Sequence, residues 1–167
     1  MRSLLELVWT TLIFLLPSYV ANATPVLISK FVKKLHPMDF GIKLPDGNRI
    51  LGEGKTLEGF FAGIISGSLV GLMINYPNLK PSLILALGAM VGDVLGSFVK
   101  RRLGLKRGSP LPPLDQLDFL AGSLILYHYL VAPLSLSRLI TAVLITPPLH
   151  AITNLIAYLL KLKEVPW

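Results

Sequence analysis

Five long apolar stretches constrain this chain more than any other feature. They run at about Leu4–Ile28, Leu57–Tyr76, Pro81–Val99, Leu117–Ala132 and Leu139–Leu160. A membrane-crossing helix needs roughly 20 mainly apolar residues, within a range of about 17–25. The first, second and fifth stretches fit; the third is slightly short and holds Asp93; the fourth is the weakest, with its start at Leu117 the least defined boundary. In a chain of 167 residues that is 53% hydrophobic, too little polar surface remains for a soluble domain. The expectation is an all-α polytopic membrane bundle of five transmembrane helices, forming a single integral membrane domain over residues 1–167. Its connections are two polar loops, 29–56 and 100–116, and two short turns near Pro77–Pro81 and Pro133–Ser137.

Charge sets the orientation. The net charge is +7 although only 15% of residues are charged, a skew suited to anionic headgroups or anionic substrates. Lys30, Lys33, Lys34, Lys43, Arg49 and Lys55 fall in the first loop. Lys100, Arg101, Arg102, Lys106 and Arg107 fall in the second, and Lys161 and Lys163 in the tail. Five spans place these thirteen of the sixteen basic residues on one face, leaving Arg2, Lys80 and Arg138 on the other. The positive-inside rule then puts the N-terminus outside and the C-terminus in the cytoplasm. The segment Met1–Arg2, an apolar run and Ala21-Asn22-Ala23 also resembles a cleavable signal. Glu6 interrupts that run, and it continues through Pro25–Ile28, so it reads as a first span. There are no cysteines, which excludes disulfides, thiolate metal sites and a cysteine nucleophile.

Gly59, Gly63, Gly67 and Gly71 recur every four residues in the second stretch, and Gly88, Gly92 and Gly96 in the third. Such stripes let helices approach closely in lipid. Gly92 and Gly96 flank Asp93, so they also offer a ligand an unobstructed approach to it.

Asp93 lies in an apolar segment. A carboxylate at membrane depth costs roughly 2.5–3.5 kcal/mol on insertion scales and persists where it faces a cation, a cavity or a partner. Lys100, Arg101 and Arg102 follow within two turns. Alone they would read as an anchor snorkelling to headgroups, but that leaves Asp115 and Asp118 unexplained. These two are spaced i, i+3 and share a face if the fourth helix begins there. Like charges so placed repel unless a cation lies between them. Carboxylates that hold Mg²⁺, with Lys and Arg neutralising phosphate oxygens, are what a nucleoside triphosphate requires. Asp93, Asp115 and Asp118 are therefore the candidate metal ligands, and Lys100, Arg101, Arg102 and Lys106 the candidate phosphate contacts.

The loop Leu51-Gly-Glu-Gly-Lys-Thr-Leu-Glu-Gly lacks the full P-loop spacing. A Gly-rich turn capped by Thr56, with Glu58 in the first helical turn, accounts for it. A Gly-Lys-Thr run at a helix N-terminus still suits an anion, so Lys55 and Thr56 join the candidates. Asn75 reads as structural, and His36 and His128 as satisfied or interfacial groups. His150, inside the fifth span, has no assigned partner.

The run Gly92-Asp-Val-Leu-Gly-Ser-Phe-Val-Lys-Arg-Arg-Leu-Gly-Leu-Lys-Arg-Gly, followed by Asp115-Gln-Leu-Asp118, resembles the signature of the phosphatidate cytidylyltransferases. Ser97, Lys100-Arg101, Lys106 and Asp115/Asp118 take the matching positions. Arg107, Pro112-Pro113-Leu114 and Gln116 depart from that signature, and the bacterial enzymes are considerably longer. Those departures, the small size, Asp46-Gly-Asn-Arg, Gly52-Glu-Gly-Lys-Thr-Leu-Glu-Gly and Leu114-Asp-Gln-Leu-Asp-Phe resemble the archaeal branch, the CDP-archaeol synthases. The match covers about Pro45 to Phe119. The resemblance implies Mg²⁺-dependent transfer of CMP from CTP to an isoprenoid ether-linked glycerol phosphate, giving a CDP-lipid and pyrophosphate. It also implies a multi-pass cell-membrane enzyme acting on the cytoplasmic side, with Ser97 a substrate contact, membrane lipids around it and no nucleic acid partner.

Two rivals predict different features. A CDP-alcohol phosphotransferase would open its motif Asp-Gly-x-x-Ala-Arg, whereas Asp93 is followed by Val-Leu-Gly. A small transporter using Asp93 as an ion relay would show inverted repeats or broken helices; no convincing repeat is evident, and the polar groups crowd one rim.

Overall fold

The structure, a computed structural model, describes residues 3–74 and 78–166. Met1 and Arg2 of the signal-like start, Asn75, Tyr76 and Pro77 at the end of the second stretch, and Trp167 lie outside the described residues. Five helices follow in order: α1 Leu4–Phe31, α2 Leu57–Met73, α3 Leu79–Arg102, α4 Leu114–Leu130 and α5 Leu136–Leu159. No strand occurs among the described residues, and only two isolated bridges, Pro37 with Thr56 and Lys43 with Arg49, tie the first loop.

Three helices, α1, α3 and α5, are long and apolar enough to cross a membrane. Helices α2 and α4 have 17 residues each, which at a rise of about 1.5 Å per residue gives only about 25 Å. The fourth helix starts at Leu114, not Leu117. Asp115, in its first turn, accepts the Leu111 backbone N–H at 2.9 Å, so a polar residue builds the start and masks it from hydropathy. Helix α3 continues three residues past Val99, so Lys100–Arg102 occupy its last turn, where cations complement the helix dipole.

Helix α2 lies between α1 and α3. A methyl on Gly63 would meet Met90 and the Ala21 carbonyl oxygen, and one on Gly67 the Pro17 carbonyl oxygen, Ala86 and Ala21. Pro25 has no N–H to bond the Ala21 carbonyl, and α2 packs against that freed group. Helix α3 packs most extensively on α4: Gly88 faces the Gly122 carbonyl, and Gly92 the Asp118 backbone. Between these seams Leu15, Leu85, Ala86, Ala89, Phe119 and Leu120 form the core. Large apolar side chains such as Leu5, Trp9, Phe61, Met73 and Leu144 cover the outside, as suits lipid as the surrounding solvent.

Candidate active site at one end of the bundle

Asp39 organises the first loop. Its carboxylate is buried, 4% exposed, and accepts the backbone N–H groups of Gly41, Leu51 and Gly52 at 3.1, 3.0 and 2.8 Å. It also pairs with Arg49. Burial pushes this carboxyl up, but the Arg49 guanidinium and the three backbone donors outweigh it and hold it well below the usual range. The loop closes onto α2 through His36, whose backbone N–H and ring meet Glu58 at 2.9 and 2.5 Å. Met38 N–H donates to the Lys55 carbonyl at 2.8 Å. Thr56 N-caps α2 by accepting the Gly59 N–H at 3.2 Å. Lys55, held between these anchors, projects its ammonium to Asp93 at 2.5 Å.

The C-terminal turn of α3 grips the same loop. Arg102 donates to Asp46 Oδ2 at 2.7 Å and to the Arg49 carbonyl at 2.6 Å. Arg101 lies against Gly52, with its Nε buried and unpartnered among the described residues. Gly52 has φ +91° and would bring a side chain onto the Arg101 guanidinium. Arg107, from the second loop, lies over Gly54. Lys100 reaches across to α4 and donates to both oxygens of Asp115 at 2.8 and 2.9 Å. The start of α2, the end of α3 and the start of α4 thus gather at one end of the bundle.

Asp118 sits at the centre of this end. Its carboxylate rests on Gly96, where a methyl would collide with Oδ2, and Oδ1 accepts the Phe119 N–H at 2.6 Å. Asp93, Lys55 and Asp115 all lie within its electrostatic reach. The approach to Asp93 that Gly92 and Gly96 offer in the sequence is therefore taken by α4 itself: small residues at these positions seat Asp118.

The expected triad of metal ligands is not assembled as such. Among the described residues no three Asp, Glu or His side chains converge as a metal site. Asp115 is turned away to Lys100, because the ammonium engages both of its oxygens. Asp93 and Asp118 remain, a hard-oxygen pair beside a lysine. That donor set fits Mg²⁺, which binds one or two carboxylates plus substrate phosphates and needs no all-protein cage. Of the phosphate candidates, Lys55, Lys100 and Arg101 face this end. Arg102 is committed to Asp46 and the loop backbone, Ser97 is half-buried on α3 next to Gly96, and Lys106 is exposed on the second loop.

Two groups escaped the sequence reading. Asp39 looks like any loop acid until its backbone donors are seen, although its neighbours Gly41 and Gly52, both at positive φ, hint at a tight fold. The second group lies at the end of α5. His150, assigned no partner from sequence, stacks on Phe119 at 6.0 Å and meets Asn154 Nδ2 at 3.1 Å. Lys163 donates to Asn154 Oδ1 at 3.0 Å. His128 accepts the Leu134 N–H at 3.1 Å and is a satisfied turn group, as is His36.

The family model described as "CarS-like: CDP-archaeol synthase" matches residues 4–167. The chain is 47% identical over 163 residues to the CDP-archaeol synthase of Thermofilum pendens, covering 94% of this chain and 80% of that one. It is 48% identical to that of Methanopyrus kandleri, covering 92% and 90%. To that of Pyrococcus furiosus it is 40% identical over the whole of both chains. A solved structure, described as structural insight into an intramembrane enzyme for archaeal membrane lipids biosynthesis, superposes with a TM-score of 0.79 at 41% identity. That match covers 88% of this chain and 94% of the other. The chain belongs to the CDP-archaeol synthase family.

Proposed function

We propose that this chain is the membrane nucleotidyltransferase that moves CMP from CTP to an isoprenoid ether-linked glycerol 1-phosphate, releasing pyrophosphate and a CDP-archaeol-type lipid. The observation that carries it is the Lys55–Asp93 pair together with Asp118, whose carboxylate is seated on Gly96, at the end of an apolar bundle where the basic loops converge. Both substrates are polyanions, and that end gathers the cations needed to hold two phosphates together.

A phosphate oxygen of the lipid attacks the α-phosphorus of CTP, and the bond from that phosphorus to the bridging oxygen of pyrophosphate breaks. The attacking phosphate is already anionic, so no strong base is required; positioning and charge neutralisation carry the rate. Lys55 holds a phosphate while remaining beside Asp93. Lys100, oriented by Asp115, and Arg101, with its buried Nε, bind the triphosphate. Arg102, Thr56 and the Asp39 knot fix the loop that presents Lys55. Ser97 and Lys106 line the approach. Asp93 and Asp118 would hold Mg²⁺, which supplies charge neutralisation and alignment of the phosphate oxygens when bound.

In this reading all five helices form one catalytic domain and span the cell membrane, with α2 and α4 as the short spans, the N-terminus outside and the site on the cytoplasmic side. The thirteen basic residues of the loops and tail support that orientation. Pyrophosphate release should require both CTP and the ether-lipid phosphate, with ATP a poor substitute. Release at the same rate without lipid phosphate, or with ATP as readily as CTP, defeats the assignment.

A further inference from the structure

The interface between α1 and α5 is unlike the glycine seams. It leaves a cavity of about 270 Å³. Its walls are apolar, including Ala23, Val26, Leu27, Ile156, Ala157 and Leu160. Its polar lining includes His150, Asn154 and Lys163, joined by the 3.0 Å bond from Lys163 to Asn154 and the 3.1 Å contact from Asn154 to His150. This cluster abuts the transfer site. His150 stacks on Phe119, the residue after Asp118. Lys163 lies within electrostatic reach of Asp115, Lys100 and Lys55, and His150 within reach of Asp93.

A cavity that is apolar along its walls and carries an ammonium at its polar end complements a molecule with a hydrocarbon chain and an anionic head. CTP has no hydrocarbon to place there, and the cations that face Asp93 and Asp115, Lys55 of the first loop and Lys100 of α3, do not line the cavity. We infer that the α1/α5 cavity receives the acceptor lipid, with its phosphate held at Lys163 and Asn154 and its chain running between the helices. His150, against Phe119, fixes the wall that separates the phosphate from the chain. The inference rests on the cytidylyltransferase reading and adds to it the acceptor's location. Lys163 here is a binding group that brings the attacking phosphate to the site where Lys100 and Lys55 hold CTP.

The test is steady-state kinetics of the full-length protein in detergent, varying a geranylgeranyl ether-lipid phosphate at saturating CTP, and then CTP at saturating lipid. Lys163→Ala should raise KM for the lipid at least tenfold and leave KM for CTP within twofold; Lys163→Arg should recover most of the loss. Ala157→Trp, which fills the wall without touching charge, should raise lipid KM in the same selective way. Stabilisation by CTP in a thermal melt should match the parent for each variant. An unchanged lipid KM in Lys163→Ala, or an equal loss of CTP affinity, overturns the inference. A parent protein that puts no label from CTP into any glycerol-phosphate lipid fails the activity reading instead; an active parent with an unmoved lipid KM fails only the location.

Discussion

The α1/α2 seam and the α3/α4 seam use the same device and reach different ends. In both, glycines four residues apart let one helix back press on another. Along α2, the groups that meet Gly63 and Gly67 are Met90, Ala86, Ala21 and the carbonyl oxygens of Ala21 and Pro17, so the seam only packs. Along α3, the stripe begins against the Gly122 backbone and finishes at Gly96 against the Asp118 carboxylate. One glycine beyond the packing stripe turns a helix contact into a charged seat. A small-residue stripe is thus informative about function where its last member meets a charged side chain, and about packing elsewhere, as where Gly71 meets Ser82.

That contrast predicts separable effects. Gly96→Ala places a methyl on the Asp118 carboxylate and should lower kcat on the order of 100-fold, the scale of a 1 Å misplacement of a reacting group. Asp118→Asn and Asp93→Asn should each abolish turnover in protein that still elutes as a folded species, because each removes a carboxylate that would hold the metal and so leaves phosphate charge uncompensated, at a cost of several kcal/mol. Activity near the parent's at saturating Mg²⁺ in both would remove the pair from the mechanism. Gly67→Ala, by contrast, meets backbone and Cβ atoms that cannot swing aside. It should cost about 1–3 kcal/mol of stability, seen as a lower detergent melting temperature, while kcat of the surviving protein stays within about threefold. A Gly67→Ala protein with normal melting but lost activity would reverse the roles assigned to the two seams.

The loop knot is next in size. Because the Asp39 carboxyl is held low in the folded loop, its contribution is complete above the unfolded value of about 3.9. It is lost as pH falls through the folded value. Asp39→Asn should therefore loosen residues 38–53 at neutral pH, read as faster amide exchange there, and flatten the acid limb of loop stability below pH about 4. The smallest effect belongs to Thr56→Ala, which deletes one helix cap worth about 1 kcal/mol and should lower the melting temperature slightly with activity largely kept.

Much of this was legible in the sequence, for identifiable reasons. Hydropathy runs located all five helices because lipid demands apolar surface over a whole span. Asp93 stood out because a carboxylate in such a run is costly, and Asp118 because it stands i, i+3 from a second acid, Asp115. The boundary at Leu114 was hidden because Asp115 and Gln116 are polar yet helical. The diversion of Asp115 to Lys100 was hidden too, since spacing along one helix does not reveal which cation arrives from another. Asp39 was invisible because its partners are backbone N–H groups, which carry no residue signature. Lys163 read as a tail charge because only the return of the chain after α5 brings it beside Asn154.

The central claim is that CMP itself moves from CTP to the lipid phosphate. It is tested most directly by supplying CTP labelled at the α-phosphate in one reaction and at the γ-phosphate in another, with a geranylgeranyl ether-lipid phosphate and Mg²⁺. The account predicts that α-label enters the lipid-extractable product while γ-label leaves as pyrophosphate, and that chelating the metal stops both. Label from the γ-position in the lipid phase, or no label in lipid with any glycerol-phosphate acceptor, would contradict it.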